Sequence, residues 1–491
     1  MDRTRSAVRF LLDGKTVEVT QWTATTMLLP VLREQLGRTG SKEGCAEGDC
    51  GACMVLVGRE HRGRVRYQSV NACIRPLALV DGCEVVTVES LAATGAPLHP
   101  VQQALVQHHA SQCGFCTPGI TMALAGCYLE EERPDREKIL SCLSGNLCRC
   151  TGYRPVIDAA LSMDNYPPAE SWNKHCGQDP ERLAAIRALD DGTTLVQDTA
   201  GERFAAPRTQ TALAQWLALH PDATLVGGAT DLGVAVNKAF RKPQLMLSTA
   251  HVQGLDEMHA DAGTISIGAA VSLSDALTEL AGHYPALAEL KERFASPPIR
   301  HAATLAGNLA NGSPVGDTLP PLLVLDAELT LVSPKETRRI PLHGFYTGYR
   351  QTGLRLGEYI SAIHIPRPRP HQRIAAYKLA RRFDQDISTV SMALSADLQE
   401  GCLSRVRLAF GGMAACALRL PALESALEGQ ALDKIDPARM DALLERALAP
   451  LSDHRGSAGY RQAAAQGLLR RALLQWQGAG ACRIEDLEPT A

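Results

Sequence analysis

Two groups of cysteines in the first third of the chain restrict its fold more than any other feature. The first is Cys45-x4-Cys50-x2-Cys53, joined by Cys73 after 19 further residues. The second is Cys113-x2-Cys116, followed after 31 residues by Cys148-x-Cys150. A segment that delivers several thiolates to one inorganic centre must loop around that centre, so each group dictates local structure. The chain has 15 cysteines in all. An odd, clustered set argues against a disulfide framework and toward metal or redox chemistry. The start, Met1-Asp2-Arg3-Thr4-Arg5, leads into only a short apolar run before Asp13-Gly14, so no signal peptide is expected.

The first spacing is that of a plant-type [2Fe–2S] site. Two irons and two sulfides need four thiolates around a compact anionic core, with backbone amides nearby to stabilise the added electron. Gly44, Gly48 and Gly51 sit where the main chain must wrap closely. A structural zinc loop is the competing reading, but zinc sites usually use CxxC pairs, and the four-residue gap favours the cluster. Cys45, Cys50, Cys53 and Cys73 are therefore the expected ligands. The second group, Cys113, Cys116, Cys148 and Cys150, suits either a four-cysteine zinc site or a second cluster. Cys116 precedes Thr117-Pro118-Gly119 and a helix, whose dipole would favour a thiolate, and a second redox centre beside the first would pass single electrons. Cys83, Cys127, Cys142, Cys176, Cys402, Cys416 and Cys482 receive no role and read as small buried hydrophobes or ordinary thiols.

At 491 residues the chain is long enough for about three domains. Its net charge of −3 gives no general drive toward nucleic acid or an anionic membrane. The longest apolar stretch, Leu319 to Val332, is broken by Asp326 and Glu328 and is shorter than the ~20 residues of a membrane span. Ala7–Leu12 and Thr16–Thr20 read as a hairpin through Asp13-Gly14. A helix is expected at Thr26–Leu36, a loop at Gly40–Cys53, strand at Met54–Val57, and strand-like pattern ending Glu84–Val88. From His99 to Met163 the period is helical, over Val101–Val106, Ile120–Glu132 and Glu137–Leu143. Asp164–Pro180 reads as a linker. Further on, helices are expected at Thr209–His220, Ser272–Ala281, Ala422–Leu427 and Gln466–Trp476. Strands are expected at Thr224–Val226, Thr264–Gly268 and Ser404–Phe410, and a loose tail from Gly478.

Two glycine-bearing loops lie in the second half. Leu225-Val226-Gly227-Gly228-Ala229-Thr230-Asp231 is a strand running into a paired-glycine turn, whose successive N–H groups suit a pyrophosphate. Thr304 to Asp317 is rich in glycine and asparagine, and Asn308 and Asp317 suit the polar parts of a nucleotide. Taken alone, the first loop is not GxGxxG and fits an ordinary tight turn better, and either loop fits a structural role.

The strings Cys113-Gly-Phe-Cys-Thr-Pro-Gly-Ile120 and Gly145-Asn-Leu-Cys-Arg-Cys-Thr-Gly-Tyr-Arg-Pro155 resemble the helical iron–sulfur domain of the xanthine oxidase family of molybdenum hydroxylases. The first cysteine motif resembles that family too, except that Ala46 stands where glycine is often found. The two glycine loops, in this order, resemble the family's FAD domain, an α+β fold and not a Rossmann fold.

The resemblance implies a multidomain α+β chain. Residues 1–92 would be a β-grasp ferredoxin-like [2Fe-2S] domain, 93–165 an all-α [2Fe-2S] domain and 166–192 a linker. Residues 193–370 would bind FAD, 371–477 would form a C-terminal α+β flavoprotein domain, and 478–491 a tail. It implies that Leu225, Val226, Gly227, Gly228, Ala229, Thr230 and Asp231 meet the FAD phosphates, together with Thr304, Asn308 and Asp317. Phe294 would lie against the flavin, Tyr359 and Ile360 would make an apolar contact, and Lys378 would lie near the cofactor. Arg381 to Ile387 resembles the segment beside the family's nicotinamide site, with a solvated charge run as the other reading. No residue of this chain is expected to act as general acid or base.

The family's molybdopterin-binding portion has no room here. The resemblance therefore implies a partner large subunit carrying the molybdenum cofactor, an (αβ)2 assembly, a cytoplasmic location and NAD+ as acceptor. The partner would oxidise hypoxanthine or xanthine to urate. The helical cluster would lie nearer molybdenum and the ferredoxin-like cluster nearer FAD. An aldehyde, nicotinate, aromatic acyl-CoA or CO hydroxylase shares these parts, and a non-enzymatic zinc scaffold is the alternative from another class.

Overall fold

The computed structural model describes residues 3–92, 95–130 and 133–478. The last residues of the helix expected to end at Glu132, the tail beyond Gly478 and Cys482 lie outside the described residues. The chain divides into two compact units, Met1–Gln253 with Ala295–Thr304, and Gly254–Phe294 with Leu305–Ala491.

In the first unit the strands are β1 (Thr4–Arg5), β2 (Val8–Leu12), β3 (Lys15–Val19), β4 (Met54–His61), β5 (Arg64–Asn71) and β6 (Glu84–Val86), then β7 (Thr194–Thr199), β8 (Glu202–Ala206), β9 (Thr224–Val226) and β10 (Leu245–Ser248). One sheet has the order β3-β2-β6-β4-β5. Its first hairpin is the expected one: Leu12 pairs with Lys15 across Asp13 and Gly14, which both take positive φ (54° and 71°) as a two-residue turn requires. Val8, Phe10, Leu28, Leu29 and Leu32 fill the core beneath. The helix expected over Thr26–Leu36 is shorter and irregular. It runs α-helical only over Leu28–Pro30 and continues as a wide turn, Val31–Gln35, closed by Leu36 N–H on Val31 O.

The helical pattern from His99 onward is four helices, Pro100–Gln107, Thr117–Glu130, Arg136–Leu143 and Arg154–Ser162. Thr117–Glu130 is buried continuously from Gly119 to Tyr128 and forms the centre of this bundle. The Asp164–Pro180 stretch has the polar, proline-bearing composition of a linker, yet it is strapped down. Trp172 Nε1 donates to Ser90 O at 2.8 Å, Trp172 O lies 3.1 Å from His99 Nε2, and the Arg182 guanidinium stacks 4.2 Å over the Trp172 ring. A second sheet has the order β1-β7-β8-β10-β9, and it is completed by the chain's first described strand, where Thr4 pairs with Thr194 and Arg5 with Leu195.

The second unit adds β11 (Met258–Ala260), β12 (Thr264–Gly268), β13 (Glu328–Val332), β14 (Thr337–Pro341), β15 (Tyr346–Gly348), β16 (Gln351–Thr352), β17 (Tyr359–Pro366), β18 (Gln372–Leu379), β19 (Val390–Gln399), β20 (Cys402–Gly411) and β21 (Leu418–Arg419). One antiparallel sheet is ordered β11-β12-β17-β13-β14 and another β18-β19-β20-β21. Ser272 caps the helix Leu273–His283 as expected, accepting from Asp275 N–H at 3.1 Å. The apolar Leu319–Val332 stretch is a buried helix, Leu319–Val324, followed by β13. The helix Ala458–Trp476 covers the last sheet with Ala465, Leu469 and Ala472. Among the described residues no helix is long and apolar enough to cross a membrane.

Candidate cofactor sites

Every cysteine among the described residues is a free thiol. The loop before β4 brings Cys45, Cys50 and Cys53 to the end of β5, where Cys73 follows Asn71. Cys45 Sγ accepts backbone N–H groups from Glu47, Asp49 and Cys50 at 3.5, 3.3 and 3.3 Å. Cys50 and Cys73 also donate to it, and these two contacts hold Cys45 far below the ordinary thiol range despite burial. The same contacts push Cys50 and Cys73 up, and Cys73 meets Cys53 as well. The expected four ligands are thus one connected patch, Cys45 beside Cys50 and Cys53 beside Cys73.

The second set is paired likewise: Cys113 with Cys150, and Cys116 with Cys148. Cys116 sits at the start of the Thr117–Glu130 helix, as the sequence suggested, and burial followed by the Cys148 contact pushes its thiol up to about 12. At Cys148 burial opposes ionisation, but the Thr151 hydroxyl, 3.1 Å away, the Thr151 amide and Cys116 together lower it. Tyr153 fixes this loop by accepting from Cys148 N–H at 2.8 Å and donating to Asn146 O at 3.0 Å. Among the described residues no three His, Cys, Asp or Glu side chains converge as a site for one metal ion.

The two loops touch. Leu147 N–H donates to Cys50 O at 3.0 Å, one residue from Cys148. Gly51, at φ 71°, makes the approach possible, since a Cβ there would stand 2.2 Å from Gly145 O.

The first unit also holds the paired-glycine turn. It follows β9 and opens the helix Thr230–Ala239, with Ala229 left-handed (φ 61°) as its cap. The glycines answer to packing before any ligand: a Cβ on Gly228 would stand 1.8 Å from Ala302 O, and one on Gly227 2.9 Å from Thr304 Oγ1. Thr304 and the turn are therefore neighbours, and the helix N-terminus presents N–H groups suited to an anion. Val226 is buried, Leu225 and Thr230 are half-buried, and Asp231 is exposed.

In the second unit Asp317 and Lys378 form a buried ion pair, Nζ to Oδ2 at 2.7 Å, and Ser388 Oγ donates to Asp317 Oδ1 at 2.5 Å. A carboxylate has about four acceptor positions and an ammonium three donors, so both keep capacity for a further partner. Asn308 Oδ1 accepts from Thr318 Oγ1 at 2.6 Å. Phe294 ends the helix Ala288–Arg293 and is buried; Tyr359 and Ile360, adjacent on β17, are buried too, and burial pushes the Tyr359 hydroxyl up to about 12. The Arg381–Ile387 segment is a turn organised by Asp386, whose Oδ2 accepts from Arg381 and Arg382 N–H at 2.8 and 3.0 Å. Its Phe383 is exposed and carries the Arg293 guanidinium at 5.2 Å.

Tyr153, Thr151, Thr318 and Ser388 were not legible as site residues. Each acts through a neighbour, and only Thr151 and Tyr153, inside the Gly145–Pro155 string, lie in a motif that marks them.

Comparison with known proteins matches residues 10–77 to a 2Fe-2S iron–sulfur cluster binding domain and 87–161 to a [2Fe-2S] binding domain. Residues 199–368 match the FAD binding domain in molybdopterin dehydrogenase and 375–476 the CO dehydrogenase flavoprotein C-terminal domain. The xanthine dehydrogenase of Drosophila subobscura is 33% identical over 96% of this chain and 39% of its own length. The xanthine dehydrogenase/oxidase of Rattus norvegicus is 32% identical over 82% of this chain and 34% of its own length. The chain thus spans between a third and two fifths of these curated relatives.

Among solved structures, a carbon monoxide dehydrogenase from Hydrogenophaga pseudoflava aligns with TM-score 0.53 and 27% identity over 57% of this chain and 98% of that one. Quinoline 2-oxidoreductase from Pseudomonas putida 86 aligns with TM-score 0.50 and 27% identity over 56% of this chain and 96% of that one. The fold is the expected multidomain α+β arrangement of ferredoxin-like, helical, FAD-binding and C-terminal domains. Its cofactors are two [2Fe-2S] clusters and FAD.

Proposed function

Because its domains and relatives support placing this chain in the xanthine oxidase family of molybdenum hydroxylases, we propose that it is the electron-transfer subunit of such an enzyme, working with a separate chain that carries molybdenum. When bound, the clusters carry single electrons, and FAD exchanges one electron at a time with them and two with a nicotinamide. The residues of this chain position those groups. Cys45, Cys50, Cys53 and Cys73 hold one cluster; Cys113, Cys116, Cys148 and Cys150 hold the other. The observation that carries the reading is the direct joint between the two thiol sets, where the N–H of Leu147, next to Cys148, donates to the carbonyl of Cys50.

The turn Leu225 to Asp231 and Thr304 would receive the FAD phosphates on backbone N–H and hydroxyl donors. By the family resemblance, Phe294, Tyr359 and Ile360 would supply apolar surface to the flavin, with Asn308, Asp317 and Lys378 as polar contacts. We assign no general acid or base in this chain. The finer reading is a cytoplasmic (αβ)2 xanthine dehydrogenase that reduces NAD+, favoured by relatives aligned over as much as 96% of this chain. The likeness to carbon monoxide dehydrogenase and quinoline oxidoreductase favours another substrate as the second reading.

Co-expression with a candidate molybdenum subunit tests this. We expect a stable complex that reduces NAD+ with xanthine. Turnover of carbon monoxide, an aldehyde or an N-heterocycle in place of xanthine would select the second reading, and absence of any co-purifying molybdenum chain would remove the subunit role.

A further inference from the structure

The helix that opens at the paired-glycine turn reaches the first cysteine site with its other end. Gly233 lets it close: a Cβ there would stand 2.2 Å from Ile74 O, next to Cys73. One turn on, the Asn237 carboxamide uses both hydrogens of Nδ2, donating to Cys73 O at 2.8 Å and to Ala46 O at 3.0 Å. Ala46 follows Cys45 and is left-handed, at φ 55°. An L-residue adopts that conformation only under strain, which glycine avoids.

On the reading that this site holds a [2Fe–2S] cluster, we propose that Asn237 is a positioning residue for it. Its amide ties the strained Ala46 peptide to the Cys73 peptide, and so holds one ligand of each thiol pair, Cys45 and Cys73, in register. Because Asn237 lies seven residues after Thr230 on one rigid helix, the clamp also sets the cluster loop about 10 Å along the helix from the nucleotide turn. Nothing in the cysteine spacing names this residue, since it lies 164 positions from Cys73.

The test compares the purified full-length chain with Asn237→Ala, which removes both donors, and Asn237→Asp, which keeps the shape and replaces the donor by an acceptor. Iron and labile sulfide in the unaltered chain first establish the clusters, separately from this proposal. The two EPR signals, assigned with a Cys148→Ser variant, then report each cluster. In both Asn237 variants we expect chelator-driven loss of the Cys45-set cluster about tenfold faster, with a shifted EPR signal and midpoint potential. The helical cluster serves as internal control and should not move. Adding Ala46→Gly to Asn237→Ala should restore much of the retention by relieving the strain. Unchanged retention and potential in both variants would overturn the proposal, as would equal loss from both clusters or a double variant no better than Asn237→Ala.

Discussion

The two thiol sets each bring four cysteines together, at opposite depths. Cys53 and Cys73 are buried, and Cys45 and Cys50 half-buried, under a sheet whose core includes Phe10 and Leu32. In the helical set Cys113 and Cys150 are exposed, and Cys116 and Cys148 half-buried. The first set is therefore supported by its own fold on most sides. The second meets solvent on one pair and the core of the helical bundle on the other. Depth, more than ligand chemistry, distinguishes them.

The largest expected effect lies at the ligands. Cys73→Ser should abolish the EPR signal of the buried site and Cys150→Ser that of the helical site, and either change should stop electron delivery to the acceptor. In the cluster-free chains, Cys73→Ser should lower the thermal midpoint more than Cys150→Ser, because only Cys73 places its hydroxyl in a core. Equal shifts would erase the difference in depth.

A buried charge in the flavin unit sharpens the same point. Lys378→Met leaves Asp317 buried with Ser388 alone and should cost about 3 kcal/mol in denaturant unfolding, with loss of FAD retention. An effect below about 1 kcal/mol would mean the pair is solvated in solution.

The joint between the two sites offers a third probe. Gly51→Ala drives a Cβ into Gly145 O from a left-handed backbone and should cost about 2 kcal/mol. Both clusters should then be lost faster, whereas loss from one alone would separate the loops functionally.

The smallest expected effect is a pH dependence on the helical side. His99 Nδ1 accepts from Val101 N–H at 3.2 Å and its Nε2 lies against Trp172 O, and burial lowers its pKa to about 4. A histidine whose folded pKa is depressed stabilises above its unfolded value near 6.5, and that stability is lost as pH falls toward 4. At pH 5.5 the loss should be about 1 kcal/mol relative to neutrality. It should vanish in His99→Gln, as read by urea unfolding followed through tryptophan fluorescence.

What the sequence disclosed tracks how local each constraint is. Cys45, Cys50 and Cys53 lie within one loop, so spacing alone announces their chemistry, and the Asp13-Gly14 hairpin is equally local. The strand β5 is not legible in the sequence because its alternation, with Arg64, Arg66 and Gln68 on one face, carries too few apolar residues to stand out. The apolar pattern over Thr26–Leu36 does announce helical structure, but it does not show the change from α-helix to a wider turn after Pro30. Contacts between distant segments were beyond reach: β1 on β7, Trp172 on Ser90, Lys378 on Asp317. The Gly228 turn was noticed for a plausible ligand, but it is the nearby Ala302 carbonyl that forbids a side chain there.

The central claim is that this chain carries electrons through two clusters to a flavin. The most direct measurement is iron, labile sulfide and flavin per purified chain, with EPR after stepwise reduction. The account predicts about four iron, about four sulfide and one FAD per chain, with two signals that appear at different potentials. Bound zinc without labile sulfide or flavin, or a single cluster signal, would contradict it.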